Sequence, residues 1–185
     1  RVPGVADSMM ASIARDGADK AATKAATGSS AKGWLLSLGA EHLVAVGERE
    51  LVHILAQVPK LQRIPRAPAH ASYAMVWQER ILPVIDLGVL LDTGGAPSAT
   101  SASVIGIVAF RGARKGAIVL GALALHEVPR RIETSESDAR DMPSRLHALE
   151  PWALSCLEDL EHGAVPILHL SKLFTAVPDP AAGAA

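Results

Sequence analysis

The chain carries one short pattern twice. Ile81-Leu82-Pro83-Val84-Ile85-Asp86-Leu87-Gly88-Val89-Leu90-Leu91 is echoed by Ala164-Val165-Pro166-Ile167-Leu168-His169-Leu170-Ser171-Lys172-Leu173-Phe174. Each copy reads as an apolar strand with an internal proline, then a polar residue, then a short helix with leucine on one side. Proline cannot donate to a ladder, so each strand is expected to have an edge or a bulge where it falls. Two copies imply two similar β units, each ending in a turn or two of helix. A unit of about 65–70 residues is only marginally stable alone. Packing the two together, or having each half lend a segment to the other, supplies the missing core. The expected fold is mostly β: two small barrels in one body, with a few short helices.

The rest of the pattern agrees. Aromatic residues are only 3% of the 185, so the core must be aliphatic. Val, Ile and Leu fall in short blocks, which favours strands. Trp34–Leu38 and His42–Val46 form a hairpin around Gly39-Ala40-Glu41. Glu48–Gln57 is expected to be a short helical or irregular connection, and Pro59, Pro65 and Pro68 punctuate a loop. Ala74–Trp77 and Arg80–Ile85 form a second hairpin around Gln78-Glu79, with Asp86 as N-cap of a short helix through Leu91. Asp92–Ser103 reads as a linker. A third hairpin follows, Ser103–Arg111 and Ala117–Leu123 around Gly112–Gly116. Ile132–Met142 reads as polar loop, Pro143–Leu149 as a short helix, and Trp152–Leu157 with Ala164–Leu170 as a fourth hairpin around Glu161-His162-Gly163.

Residues 1–33 are rich in Ala, Gly, Ser and Lys, and Lys20–Lys32 in particular reads as a flexible linker. Val5, Met9, Met10 and Ile13 would share one face of a short helix, read here as a frayed terminus. Residues 177–185 are expected to be loose. The ordered domain then runs from 34 to 176, with subdomains at about 34–92 and 103–176. The start, Arg1-Val2-Pro3-Gly4, has no initiator Met and no signal-peptide core, so the chain is read as trimmed or as the tail end of a longer protein.

Several functions are disfavoured. The formal net charge is −1, with no basic stripe, which is poor for nucleic-acid binding. No apolar run reaches the roughly 18 residues of a membrane span. One cysteine, Cys156, precludes an intrachain disulfide and fits a cytoplasmic, reducing setting. There is no Asn, hence no N-glycosylation site.

No catalytic constellation emerges. His42, His53, His70, His126, His147, His162 and His169 never form HExxH, and there is no CxxC to join them. Cys156 lies in an apolar strand and reads as an inert thiol. Ser155 lacks nucleophile-elbow glycines. Gly112–Gly116 is a hairpin turn rather than a phosphate loop. Pro129-Arg130-Arg131 reads as a solvated loop. Trp34 and Trp152 are expected to pack in the core or at its rim, and Trp77 is expected to be buried in the core, with an exposed interface anchor as the alternative. His169 stands where Asp86 stands in the other repeat, which argues for capping in both and against shared chemistry. No catalytic, metal or cofactor site is expected, so the chain reads as a binding module.

Arg80-Ile81-Leu82-Pro83-Val84-Ile85-Asp86-Leu87 resembles the signature stretch of CheW-like domains, and Val165–Leu170 its weaker second copy. The resemblance runs from about Trp34 to Phe174. It implies two five-stranded SH3-like barrels around a shared core, acting as an adaptor in a bacterial chemosensory array. It implies as partners a CheA-type histidine kinase regulatory domain and the cytoplasmic tips of chemoreceptors. A CheW-like regulatory or localisation domain of a larger signalling protein is the alternative, and an accessory pathway such as twitching motility a possible setting. Members of the family carry Asn-Leu-Arg-Gly where this chain has Val76-Trp77-Gln78-Glu79. Loss of that Gly is expected to change the turn, because Gln-Glu does not readily take the positive φ angles of a type I′ hairpin. Loss of that Arg removes a fixed fork of donors. Val76, Trp77, Gln78, Glu79 and Arg80 are the candidate protein-binding residues.

Overall fold

The computed structural model describes residues 30–39, 41–91, 99–112 and 116–175. The expectations for residues 1–29, most of the 92–103 linker, the centre of the 112–116 turn and the C-terminal tail lie outside them.

Among the described residues, twelve strands form two sheets of matching design. The strands are β1 (Ala31–Ser37), β2 (Leu43–Gly47), β3 (Leu51–Leu55), β4 (Gln62–Arg63), β5 (Tyr73–Trp77) and β6 (Arg80–Ile85), followed by helix α1 (Gly88–Leu91). Then come β7 (Val104–Arg111), β8 (Ile118–Leu125), β9 (Arg130–Thr134), β10 (Ala139–Arg140), β11 (Ala153–Asp159) and β12 (Gly163–Leu168), followed by α2 (Leu170–Thr175). The first sheet has the order β10-β11-β12-β2-β1-β9, and the second the order β4-β5-β6-β8-β7-β3. The two orders are the same once each strand of one half is exchanged for its counterpart in the other. Each sheet has five longer strands and one of two residues, which gives the two curled, SH3-like barrels with few helices.

The sheets do not follow the subdomain limits of 34–92 and 103–176. The β1–β2 hairpin joins the strands of the second half, and the β7–β8 hairpin joins those of the first. Each half lends a hairpin to the other. The seams are parallel: β12 meets β2 at Ile167 and Ala45, and β6 meets β8 at Val84–Ala122 and Ile85–Leu123. Both seams start one residue after the repeated proline, Pro83 or Pro166. Up to that point the repeat strand is paired on one side only, so the missing N–H breaks no second ladder.

Burial explains the continuous apolar runs. Leu35, Leu43, Ala45 and Val165 fill the first barrel, and Met75, Leu82, Val84, Ile105, Ile107 and Ala122 fill the second. Their neighbours Leu36, Val44, Ile85, Val108 and Leu123 point the other way, into a third cluster closed by Leu87, Leu91, Leu170, Leu173 and Phe174 of the helical segments. With both faces of these strands buried, period-two alternation disappears.

Five local expectations are corrected. Glu48–Gln57 contains strand β3, which pairs with β7 through a bulge between Leu51 and His53. Ile132–Met142 is not loop throughout, and Arg130-Arg131 is not solvated loop: both arginines lie in β9, which pairs with β1. Strand β1 starts at Ala31, so the ordered region begins before residue 34 and takes in Ala31 and Lys32 of the expected linker, held by Thr134 and Glu133 of β9. The segment expected as a helix over Pro143–Leu149 is a run of 3-10 turns, Ser144–Trp152, that buries Leu146 and Leu149.

Candidate functional site

The β5–β6 hairpin brings the five candidate residues together. Its register pairs Val76 with Ile81 and Trp77 with Arg80, leaving Gln78 and Glu79 as a two-residue turn. Both turn residues have positive φ, 48° and 62°. The expectation that Gln-Glu would change the turn is therefore overturned. The tight turn is kept, and two side-chain-bearing residues occupy the left-handed region at a cost of roughly 1–2 kcal/mol each. A right-twisted hairpin with two loop residues demands that geometry, and the paired strands hold it.

Alternation then decides what the hairpin shows to solvent. Met75 and Leu82 face the second barrel's interior, while Val76 and Ile81 face outward and are 62% and 47% exposed. Gln78, Glu79 and Arg80 are exposed. Trp77 is half-buried at the rim, against the barrel core, with its ring 5.9 Å from that of His53. An apolar pair thus stands beside a polar, sharply turned tip. His53 and the exposed Val52 belong to β3, which sequence reasoning had not read as a strand. The apolar run Leu51-Val52-His53-Ile54-Leu55 was the available signal.

Below this hairpin, Asp86 is 3% exposed. Its Oδ1 accepts from the Gly88 N–H at 3.0 Å, and its own N–H donates to the His70 carbonyl at 2.8 Å. Burial pushes its carboxyl above the usual carboxylate range, opposed by hydrogen bonds from the Val89 and Gly88 N–H groups and by the charge of His126. In the second repeat, His169 Nδ1 accepts from the Lys172 N–H at 3.3 Å, with Ser171 Oγ at 3.0 Å. Both repeats use their polar residue to hold the start of a short helix.

The other chemistry-bearing residues do not converge on this surface. Cys156 is buried, and burial pushes its thiol up. Trp34 packs against the shared core, donates from Nε1 to the Glu48 carbonyl, and lies under Arg131, which is paired with Glu48. Trp152 packs against the same core beside His70. Among the described residues, no group of three or more His, Cys, Asp or Glu is placed to hold a metal, and no helix is long and apolar enough to cross a membrane.

Comparison with known proteins agrees with this architecture. The scaffolding protein TtCheW from Thermoanaerobacter tengcongensis, known from a crystal structure, superimposes with a TM-score of 0.57 at 18% identity, over 78% of this chain and 87% of that one. A search of curated proteins finds no match. The family model described as CheW-like domain matches residues 32–178. With that match spanning most of the chain, the protein belongs to the CheW-like domain family.

Proposed function

We propose that this chain is a non-catalytic adaptor of a bacterial chemosensory complex, using the β5–β6 hairpin to bind a CheA-type kinase regulatory domain. Chemoreceptor tips are the second partner class that the family suggests. The observation that supports the reading best is the exposed Val76–Ile81 pair beside Gln78, Glu79 and Arg80. A small apolar patch with a polar rim and a half-buried indole is the composition of a binding hot spot. Arg80 directly follows the turn and supplies an exposed guanidinium where the family's own Arg is replaced by Gln78.

Calorimetric titration with the CheA-like regulatory domain from the same organism tests this. Saturable binding near one to one is expected. Val76→Glu and Ile81→Glu should each weaken it by about tenfold or more, roughly 1.4 kcal/mol, with the melting temperature unchanged. If wild-type binding occurs and neither substitution alters it, the hairpin is not the interface. If no binding occurs at high concentration, this partnership is wrong for the chain.

A further inference from the structure

A cavity of about 730 Å³ lies away from the β5–β6 hairpin and is unused by the adaptor reading. That volume is in the range of small-molecule sites. Its walls come from the β1–β2 hairpin, the β8–β9 connection, the 3-10 run and the β11–β12 turn, so both halves build it.

Five charged side chains of both signs line it: Arg130 and Arg145, with Glu41, Glu127 and Glu161. Ion pairs form elsewhere on the surface, as at Arg131–Glu48 and Arg140–Glu158, yet none forms among these five. The fold holds at least one of them apart. Asp159 Oδ2 engages His162 Nδ1 at 2.5 Å, which leaves Nε2 to accept from Arg130 Nη2 at 3.2 Å. That chain fixes the Arg130 guanidinium and leaves its other donors open. Arg145 reaches over the β11–β12 turn, where the nearest atom to a Cβ placed on Gly163 would be its Nη2.

His126 lines the cavity as well, with its Nε2 buried out of reach of solvent. Glu41 sits in the left-handed region, φ 63°, and non-glycine residues are held there where the surroundings require it.

We propose that this cavity binds a small zwitterion of the amino-acid class. The carboxylate goes to the guanidiniums of Arg130 and Arg145 and the ammonium to the rim glutamates. A simple anion would leave three carboxylates facing it, and a simple cation would face two guanidiniums. A molecule carrying both charges satisfies both sets.

Titration calorimetry of the full chain with each standard L-amino acid tests the idea. At least one is expected to bind saturably with Kd below about 1 mM. Its deaminated acid and its decarboxylated amine should each bind at least tenfold more weakly, and inorganic phosphate no better than they do. Arg145→Gln and Glu161→Gln, both at exposed positions, should each weaken the amino acid at least threefold, while Arg63→Gln, outside the cavity, should not. Failure of every amino acid to bind overturns the proposal. Equal binding of the deaminated acid or of phosphate would make this a plain anion site and also overturn it. Unchanged affinity in both Arg145→Gln and Arg130→Gln would place the ligand elsewhere and do the same.

Discussion

Two residues show how local cost is accepted for a global end. Glu79 is held with positive φ by the hairpin. Glu79→Gly removes that strain but adds chain entropy to the unfolded state, so a net gain of about 0.5 kcal/mol is expected in urea unfolding. Asp86 works the other way, as a buried carboxylate kept for its cap. Its folded-state pKa lies above the ordinary 3.8, so its contribution to stability is fully present below that value and is lost as pH rises through the folded pKa. Asp86→Asn keeps an oxygen for the Gly88 N–H and removes the charge. It should flatten this part of the pH dependence, seen in unfolding midpoints from acid to neutral pH. Asp86→Ala should instead lose about 0.5–2 kcal/mol as the cap disappears. The cap itself was legible in the sequence, because a carboxylate stands one residue before a leucine-rich helical pattern. The burial that shifts it was not, since it depends on segments distant in sequence, such as the one whose His70 carbonyl accepts from the Asp86 N–H.

Among the elements, the strands legible in the sequence are those with both faces packed or with clean alternation, such as β1, β5, β6 and β7. The strands missed are the edges: β3 and β9 occupy matching places at one edge of each sheet, and the two-residue β4 and β10 at the other. Edge strands pair on one side and bury little. In β9 only Ile132 packs inward among Arg130, Arg131, Glu133 and Thr134, so no apolar period survives to be read. Helix α2 poses the reverse case, a short leucine pattern whose docking site was invisible. Phe174 stacks on Phe110 at 4.8 Å, and a Cβ on Gly121 of β8 would collide with the Phe174 ring. Glycine is needed there for close approach. Gly121→Ala is expected to cost about 1–3 kcal/mol by overpacking. Combined with Phe174→Ala, the total loss should fall well short of the sum of the two, measured as a double-mutant cycle.

For the whole molecule, the reciprocal loan of hairpins makes the halves interdependent. Separately expressed segments 30–91 and 99–175 each lack a hairpin of their own sheet and should be unfolded by circular dichroism. Mixed, they should regain the β signal, because every seam of both sheets can then re-form. Independent folding of either segment would mean that the β1–β2 or the β7–β8 exchange is dispensable. The repeat made two units legible, and the possibility of lending followed from their small size. Which hairpin goes where was not legible, because the parallel seams rest on one or two residue pairs distant in sequence.

The seam between Ala45 and Ile167 has a further consequence during synthesis. The ribosome makes β2 early and β12 about 120 residues later. At roughly 5–20 residues per second, that is a wait of about 6–24 s. Until β9 and then β12 emerge, the nascent β1–β2 hairpin carries Leu35, Leu43 and Ala45 without the strands that pack on them. The second barrel is assembled as soon as β8 emerges, whereas the first, though it contains the N-terminal hairpin, is completed last.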